Sequence, residues 1–129
     1  MIELILLILT IYLEAEGECF IGKQAVGNVI YNRHLKSGKS VTEVILQPKQ
    51  FSCWNNIEYV KRRLSNIDKK AMIDSFKAGL KLKDDITNGA THYTRVEINR
   101  SWMRQKMETI VIGEHKFLKR NNNGRICIN

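Results

Sequence analysis

The stretch Ile2-Glu-Leu-Ile-Leu-Leu-Ile-Leu-Thr-Ile-Tyr-Leu13, running straight into Glu14-Ala-Glu-Gly-Glu18, decides how this chain of 129 residues is read. Between Ile2 and Leu13 only Glu3, Thr10 and Tyr12 carry polar groups. The run is shorter than the roughly 20 apolar residues of a membrane span. It has an acidic Glu3 where a secretory signal carries basic residues, and it meets three glutamates with no small-residue cleavage site. A buried core helix over Ile2 to Ala15 fits it best, closed by Gly17 just past the helix end. A carboxyl at the end of such a helix sits where hydrocarbon meets water. Apolar surroundings and the negative end of the helix dipole both disfavour its charged form, as suits a general acid. Glu14 is therefore the candidate acid.

Periodicity carries the reading outward. Ala25, Val26, Val29 and Ile30 form an apolar stripe on a second helix over about Gly22 to Lys36, closed by Ser37-Gly38. Ser40-Val-Thr-Glu43 reads as a capping box opening a short helix over Val41 to Gln47, which Pro48 stops. Gln47 to Asn56 is then a loop. Ile57 to Leu64 reads as a further short helix. Ser65-Asn66 is expected to cap a longer one from about Ile67 to Leu82, with Phe76 in the core. Thr87-Asn88-Gly89 signals a turn, and Ala90 to Arg95, Glu108 to Ile112 and His115 to Lys119 read as extended, the last two joined by a Gly113-Glu114 hairpin. These elements make one mainly helical α+β domain over residues 1–120 with a small antiparallel sheet, and a polar tail at 121–129.

The formal net charge of +8 should draw the surface to polyanions: nucleic acid, an anionic membrane face or an anionic envelope. Lys61, Arg62, Arg63, Lys69, Lys70, Lys77, Lys81 and Lys83 fall mostly on outer helix faces, as solvated surface or as an anchor on envelope polymers. A basic nucleic-acid module stacking bases on Trp54, Tyr93 and Trp102 explains the charge but not the acidic cluster, and no RNA-binding, helix-turn-helix or zinc-finger pattern is present. A membrane-active helix is disfavoured, since Ile2 to Leu13 has no basic face. Cys19, Cys53 and Cys127 are odd in number and lack CxxC spacing, so they read as reduced thiols rather than a disulfide framework or a metal site.

Four blocks in order resemble the SleB-type cell-wall hydrolases, spore-cortex-lytic and phage-borne enzymes that cut peptidoglycan. They are Ile11 to Arg33, Gln47-Pro-Lys-Gln-Phe-Ser52, Gly89-Ala-Thr-His-Tyr93 and Ile112-Gly-Glu-His-Lys-Phe117. The resemblance implies a lysozyme-like fold related to lytic transglycosylases, with the family's catalytic glutamate at Glu14. Two positions depart from the family's Gly-Glu-Ala-Arg-Gly-Glu motif: Leu13 replaces a Gly and Glu16 replaces the Arg.

The expected chemistry is protonation of the glycosidic oxygen by Glu14, with attack by the muramic acid's own 6-hydroxyl (a lytic transglycosylase) or by water (a muramidase). Glu18 and Arg33 are expected to support the acid. Gln50, Phe51, Ser52, Trp54, Thr91, His92, Tyr93 and Trp102 are the candidate saccharide contacts, offering ring faces and hydrogen-bonding groups. Phe51 is weighed more as core than as a platform, Trp54 evenly between the two, and His92 as a hydrogen-bonding or cleft residue rather than a metal ligand. The expected partner is the glycan strand of peptidoglycan, with no cofactor, no metal, no nucleic acid and a monomeric chain. Without an export signal the chain reads as a phage-type endolysin, made in the cytoplasm and reaching the wall once a holin opens the membrane.

Overall fold

The computed structural model of the chain describes residues 2–48 and 50–120. The expected tail at 121–129, with Cys127, lies outside them. Among the described residues five α-helices come first: α1 (Ile2–Ala15), α2 (Phe20–Ser37), α3 (Val41–Leu46), α4 (Ile57–Leu64) and α5 (Lys69–Gly79). Three antiparallel strands follow: β1 (His92–Arg95), β2 (Lys106–Ile112) and β3 (His115–Arg120), with β3 in the middle. The α+β class with its small sheet is the one the sequence implies.

Helix α1 is the axis of the core. Leu7, Ile11, Tyr12 and Leu13 are buried in one cluster with Val26, Ile30, Val44, Ile45, Phe51 and Val60, so residues from α2, α3 and α4 all close on it. Burying such side chains stabilises by about 1.5–3 kcal/mol each, which is what makes this apolar run a core element rather than a membrane segment. Among the described residues no helix is long and apolar enough to cross a membrane. Helix α5 crosses α1 at Gly79, where a side chain would meet Ile8 Cγ1 at 3.0 Å. A second cluster of Ala25, Val29, Ala90 and Phe117 fastens the sheet to α2.

Local chemistry sets the element ends. The Ser40–Glu43 capping box is present, and Gly38 closes α2 at φ 73°. Gly113 turns the β2–β3 hairpin at φ 58°. Helix α5 departs from expectation at its start: Asp68, not Ser65-Asn66, accepts from the Ala71 amide, because the Asp68 amide is itself tied to the Tyr12 hydroxyl at 3.0 Å. Phe76 also departs. It is 49% exposed on α5, whose inward face is instead Ala71, Ser75 and Ala78. Two 3-10 turns, Ser52–Asn55 and Ser101–Gln105, add order to stretches read as irregular.

The opposite face of α2 is polar yet buried. Gln24, Asn28 and Asn32, four residues apart, share one side of the helix. Gln24 donates to the Asp84 carbonyl at 2.9 Å, Asn28 to that of Leu82 at 3.2 Å and Asn32 to that of Ala90 at 2.8 Å. These bonds pin the segment leading into β1, so α2 dictates where Thr91, His92 and Tyr93 emerge.

Candidate active site

Glu14 occupies the last turn of α1 and is partly accessible to solvent. Its Oε1 accepts a hydrogen bond from the Tyr93 hydroxyl at 2.8 Å. Withdrawal from water, then the nearby Glu14 charge and that hydrogen bond, push the Tyr93 phenol well above its usual range, so it is a fixed neutral donor. Cys53 is buried close to the same carboxyl. Burial, and after it the charge of Glu14 and a hydrogen bond with it, push the Cys53 thiol up to about 12. It too stays protonated. Tyr93 thus donates to the carboxyl, and the neutral Cys53 thiol lies near it.

Arg33 completes the surround. Its Nε donates to the Thr91 carbonyl at 2.5 Å, its Nη1 to Gln50 Oε1 at 2.9 Å, and its guanidinium lies 5.4 Å from the centre of the Phe51 ring. Burial lowers its pKa, opposed by the neighbouring Tyr93 and Glu14, yet an Arg remains a cation at any physiological pH. Its positive charge acts on the Glu14 carboxyl at a distance.

Tyr93, Arg33, Gln50, His92, Trp102 and Lys106 wall a cavity of about 490 Å³. The His92 and Trp102 rings lie 5.6 Å apart, and Trp102 is 45% exposed, leaving ring surface for a ligand. His92 is lowered to about 4, first by burial and then by Arg33 and Lys106, so it is neutral at ordinary pH. Its Nδ1 lies 3.0 Å from the Thr91 hydroxyl. Among the described residues no group of three His, Cys, Asp or Glu is placed to hold a metal ion.

The remaining expected contacts sort differently. Phe51 is 3% exposed and is core beneath Arg33. Trp54 packs against the core and donates its indole N–H to Thr10 on α1 at 2.9 Å, because α1 leaves that hydroxyl facing the loop. Ser52 opens the 3-10 turn and is solvent-exposed. None of these three is among the residues that wall the cavity. Thr91 is buried and contributes its carbonyl to Arg33.

The other two glutamates of the opening motif turn away from Glu14. Glu18 lies 3.4 Å from His115 Nδ1 and packs so closely on Gly113 that a Cβ there would meet its Oε1 at 2.9 Å. It orients the hairpin rather than Arg33. Glu16 pairs with Arg63 of α4 at 2.5 Å and accepts from Tyr12 at 3.0 Å. Arg63 also contacts the Tyr59 hydroxyl and lies over the Tyr12 ring. Where the family's motif carries a cation at this position, the chain carries an anion that recruits a cation from α4. Lys23, only 2% exposed, donates to the carbonyls of Glu16 and Glu18 at 3.0 and 2.5 Å and clamps the turn between α1 and α2.

Sequence reasoning gave no role to Cys53, Lys23 or Lys106. Lys106 had a signal, as the end of a basic stretch beside Trp102. Cys53 had none, since its partner lies on another element.

The family model for cell wall hydrolases matches residues 17–118. The chain belongs to the cell wall hydrolase family. Among curated proteins none matches it. Two solved structures share its fold. The catalytic domain of the germination-specific lytic transglycosylase SleB from Bacillus anthracis is 24% identical with a TM-score of 0.72, over 91% of this chain and 93% of that one. The catalytic domain of the Bacillus cereus SleB protein is also 24% identical, with a TM-score of 0.69, over 91% of this chain and 89% of that one. As a cell wall hydrolase, the chain is an enzyme whose matched segment begins three residues after Glu14 and takes in Arg33, Cys53, His92, Tyr93 and Trp102.

Proposed function

We propose that this cell wall hydrolase is a lytic transglycosylase that cuts peptidoglycan between N-acetylmuramic acid and N-acetylglucosamine, with Glu14 as its acid and base. The observation that carries the reading is a single carboxyl, Glu14, which stands outside the cavity's lining but is bound through Tyr93 to its wall, a wall that carries no Asp or Glu. Hydrolysis usually uses a second carboxylate to activate water. Glu16 and Glu18, the nearest in sequence, are engaged by Arg63 and His115.

The steps follow from the surroundings. Protonated Glu14 delivers its proton to the bridging oxygen as positive charge develops at the sugar carbon. The carboxylate left behind is stabilised by the hydrogen bond from neutral Tyr93 and by the charge of Arg33, with the neutral Cys53 thiol beside it. It then accepts the proton of the muramic 6-hydroxyl as that oxygen attacks within the same sugar, a step favoured by proximity. The product is a 1,6-anhydromuramic end. Trp102, Gln50 and His92 offer the ring face, amide and imidazole that a saccharide needs.

Purified peptidoglycan digested by the wild type and by Glu14→Gln tests this reading. The variant should lose at least ~100-fold in rate while keeping its fold, since the amide matches the acid in shape but cannot transfer the proton. Mass spectrometry should find anhydro ends; fragments heavier by one water would make the enzyme a muramidase. We further propose action as a phage-type endolysin. The packing of Leu7, Ile11 and Tyr12 in the core supports it, because that apolar segment serves folding rather than membrane insertion. Expression inside a bacterium should lyse cells only when a membrane-permeabilising protein is added.

A further inference from the structure

Past Arg33, Gln50 and His92 the cavity continues into a second pocket of about 350 Å³, between the C-terminal end of α2, the loop around Gln47 and the outer ends of β2 and β3. Its walls carry five cations, Arg33, Lys36, Lys39, Lys106 and Arg120, and no Asp or Glu. Among the described residues none of the five forms an ion pair. Lys39 acts at a distance on Glu43, and Arg33 on Glu14. Helix α2 directs its C-terminal end at Lys36, which eases that one charge.

Two features mark the cluster as unfavourable in the free protein. Lys106 and Arg120 are direct cross-strand partners in the β2–β3 register, where like charges repel. The Lys106 ammonium is also pushed down, by burial first and then by Arg120, Arg33 and Lys36. A bound anion would relieve both.

We propose that this pocket is a carboxylate subsite, holding a free carboxylate carried on the lactyl arm of a muramic residue while the sugar lies in the neighbouring cavity. The inference rests on the peptidoglycan reading above. It is favoured over a separate polyanion because the two cavities share Arg33, Gln50, His92 and Lys106, so one strand with an acidic side branch spans both. The carboxylate is either that of the attached peptide or that of an unsubstituted lactyl group.

Co-sedimentation of the Glu14→Gln protein with insoluble peptidoglycan tests it without turnover. Three preparations are compared: native, carboxyl-capped as neutral amides, and amidase-stripped so that the lactyl carboxylate is free but the peptide is gone. Capping should weaken binding about 10-fold, and Lys36→Gln/Arg120→Gln added to Glu14→Gln should weaken binding to native material by a similar factor, as expected for two solvent-accessible ion pairs. That variant should lose nothing more on capped material. A control with the same charge change at exposed positions on α5 and in the turn after it, Lys69→Gln/Lys83→Gln, should bind within about twofold of the parent, because those charges act only through screened long-range attraction. Stripped material bound like native assigns the lactyl carboxylate; stripped material bound like capped assigns the peptide. Equal binding to native and capped material, or an equal loss from the pocket variant on both or from the control, overturns the subsite. Failure of the Glu14-containing enzyme to cleave any preparation would instead overturn the proposed function, a separate readout.

Discussion

The hydroxyl of Tyr93 donates to the carboxyl of Glu14 at 2.8 Å across 79 positions of sequence, joining the end of the buried helix α1 to the sheet. The bond orients the carboxyl, and it is where the two halves of the fold meet at the site.

Tyr93→Phe removes that donor while keeping the ring that packs 5.7 Å from Phe117 and 5.6 Å from His115. The stability cost should be about 1 kcal/mol, as for one hydrogen bond. The rate on peptidoglycan should fall roughly 10- to 100-fold with little change in KM, because the bond matters most once Glu14 has given up its proton. Unchanged kcat would show that the bond is only structural.

Arg63→Ala and Glu16→Ala should each destabilise the fold, and the double variant should lose less than their sum. The pair is partly shielded from water and shares Tyr12 and Tyr59, so a coupling energy of up to about 1 kcal/mol is expected from denaturant unfolding of the four proteins. Additive losses would mean that Arg63 acts through its ring contacts and not through Glu16.

Asp85 anchors the turn that delivers Thr91, His92 and Tyr93. Its carboxyl accepts from the Thr87 amide and hydroxyl at 2.8 and 2.6 Å and from the Gly89 amide at 2.8 Å. Burial opposes ionisation, but these bonds and one from Asn32 outweigh it and hold the carboxyl below its ordinary value. A carboxyl lowered in the folded state contributes stability above its unfolded pKa of about 4, and loses it as pH falls through the lower folded value. Asp85→Asn should therefore be less stable than wild type by about 1 kcal/mol at neutral pH, a small figure because the group is partly solvated. The gap should close in acid; thermal unfolding across pH reads it, and a gap that widens in acid would contradict the assignment.

Cys53 and Cys19 should separate under alkylation. Cys19 is exposed, whereas Cys53 is 6% exposed with its thiol pushed up to about 12. Only the thiolate reacts, so iodoacetamide at pH 8 should label native Cys53 at least about 100-fold more slowly than the unfolded chain. Peptide mass spectrometry reads the two sites separately. Fast native labelling would remove Cys53 as a neutral partner of Glu14.

The elements that depend on neighbours in sequence were legible without a structure. Helix α1 ends where Gly17 follows the apolar run, the Ser40–Glu43 box opens α3, and Gly113 turns the hairpin, because capping, helical periodicity and positive φ are decided within a few residues. Glu14 could be singled out for the same reason, its place at a helix end being written in the chain. Trp54 and Phe76 were not legible. Whether a ring faces a cavity, the core or water depends on what packs opposite, and here Thr10 draws Trp54 to α1 while the small residues of α5 leave Phe76 outside. Tertiary structure alone decided that Glu14 meets Tyr93 and Cys53, that Glu16 takes Arg63 from α4, and that Lys106 and Arg120 face each other beside the groove. Those contacts join residues far apart in the chain, and only the closing of the core around α1 brings them within reach.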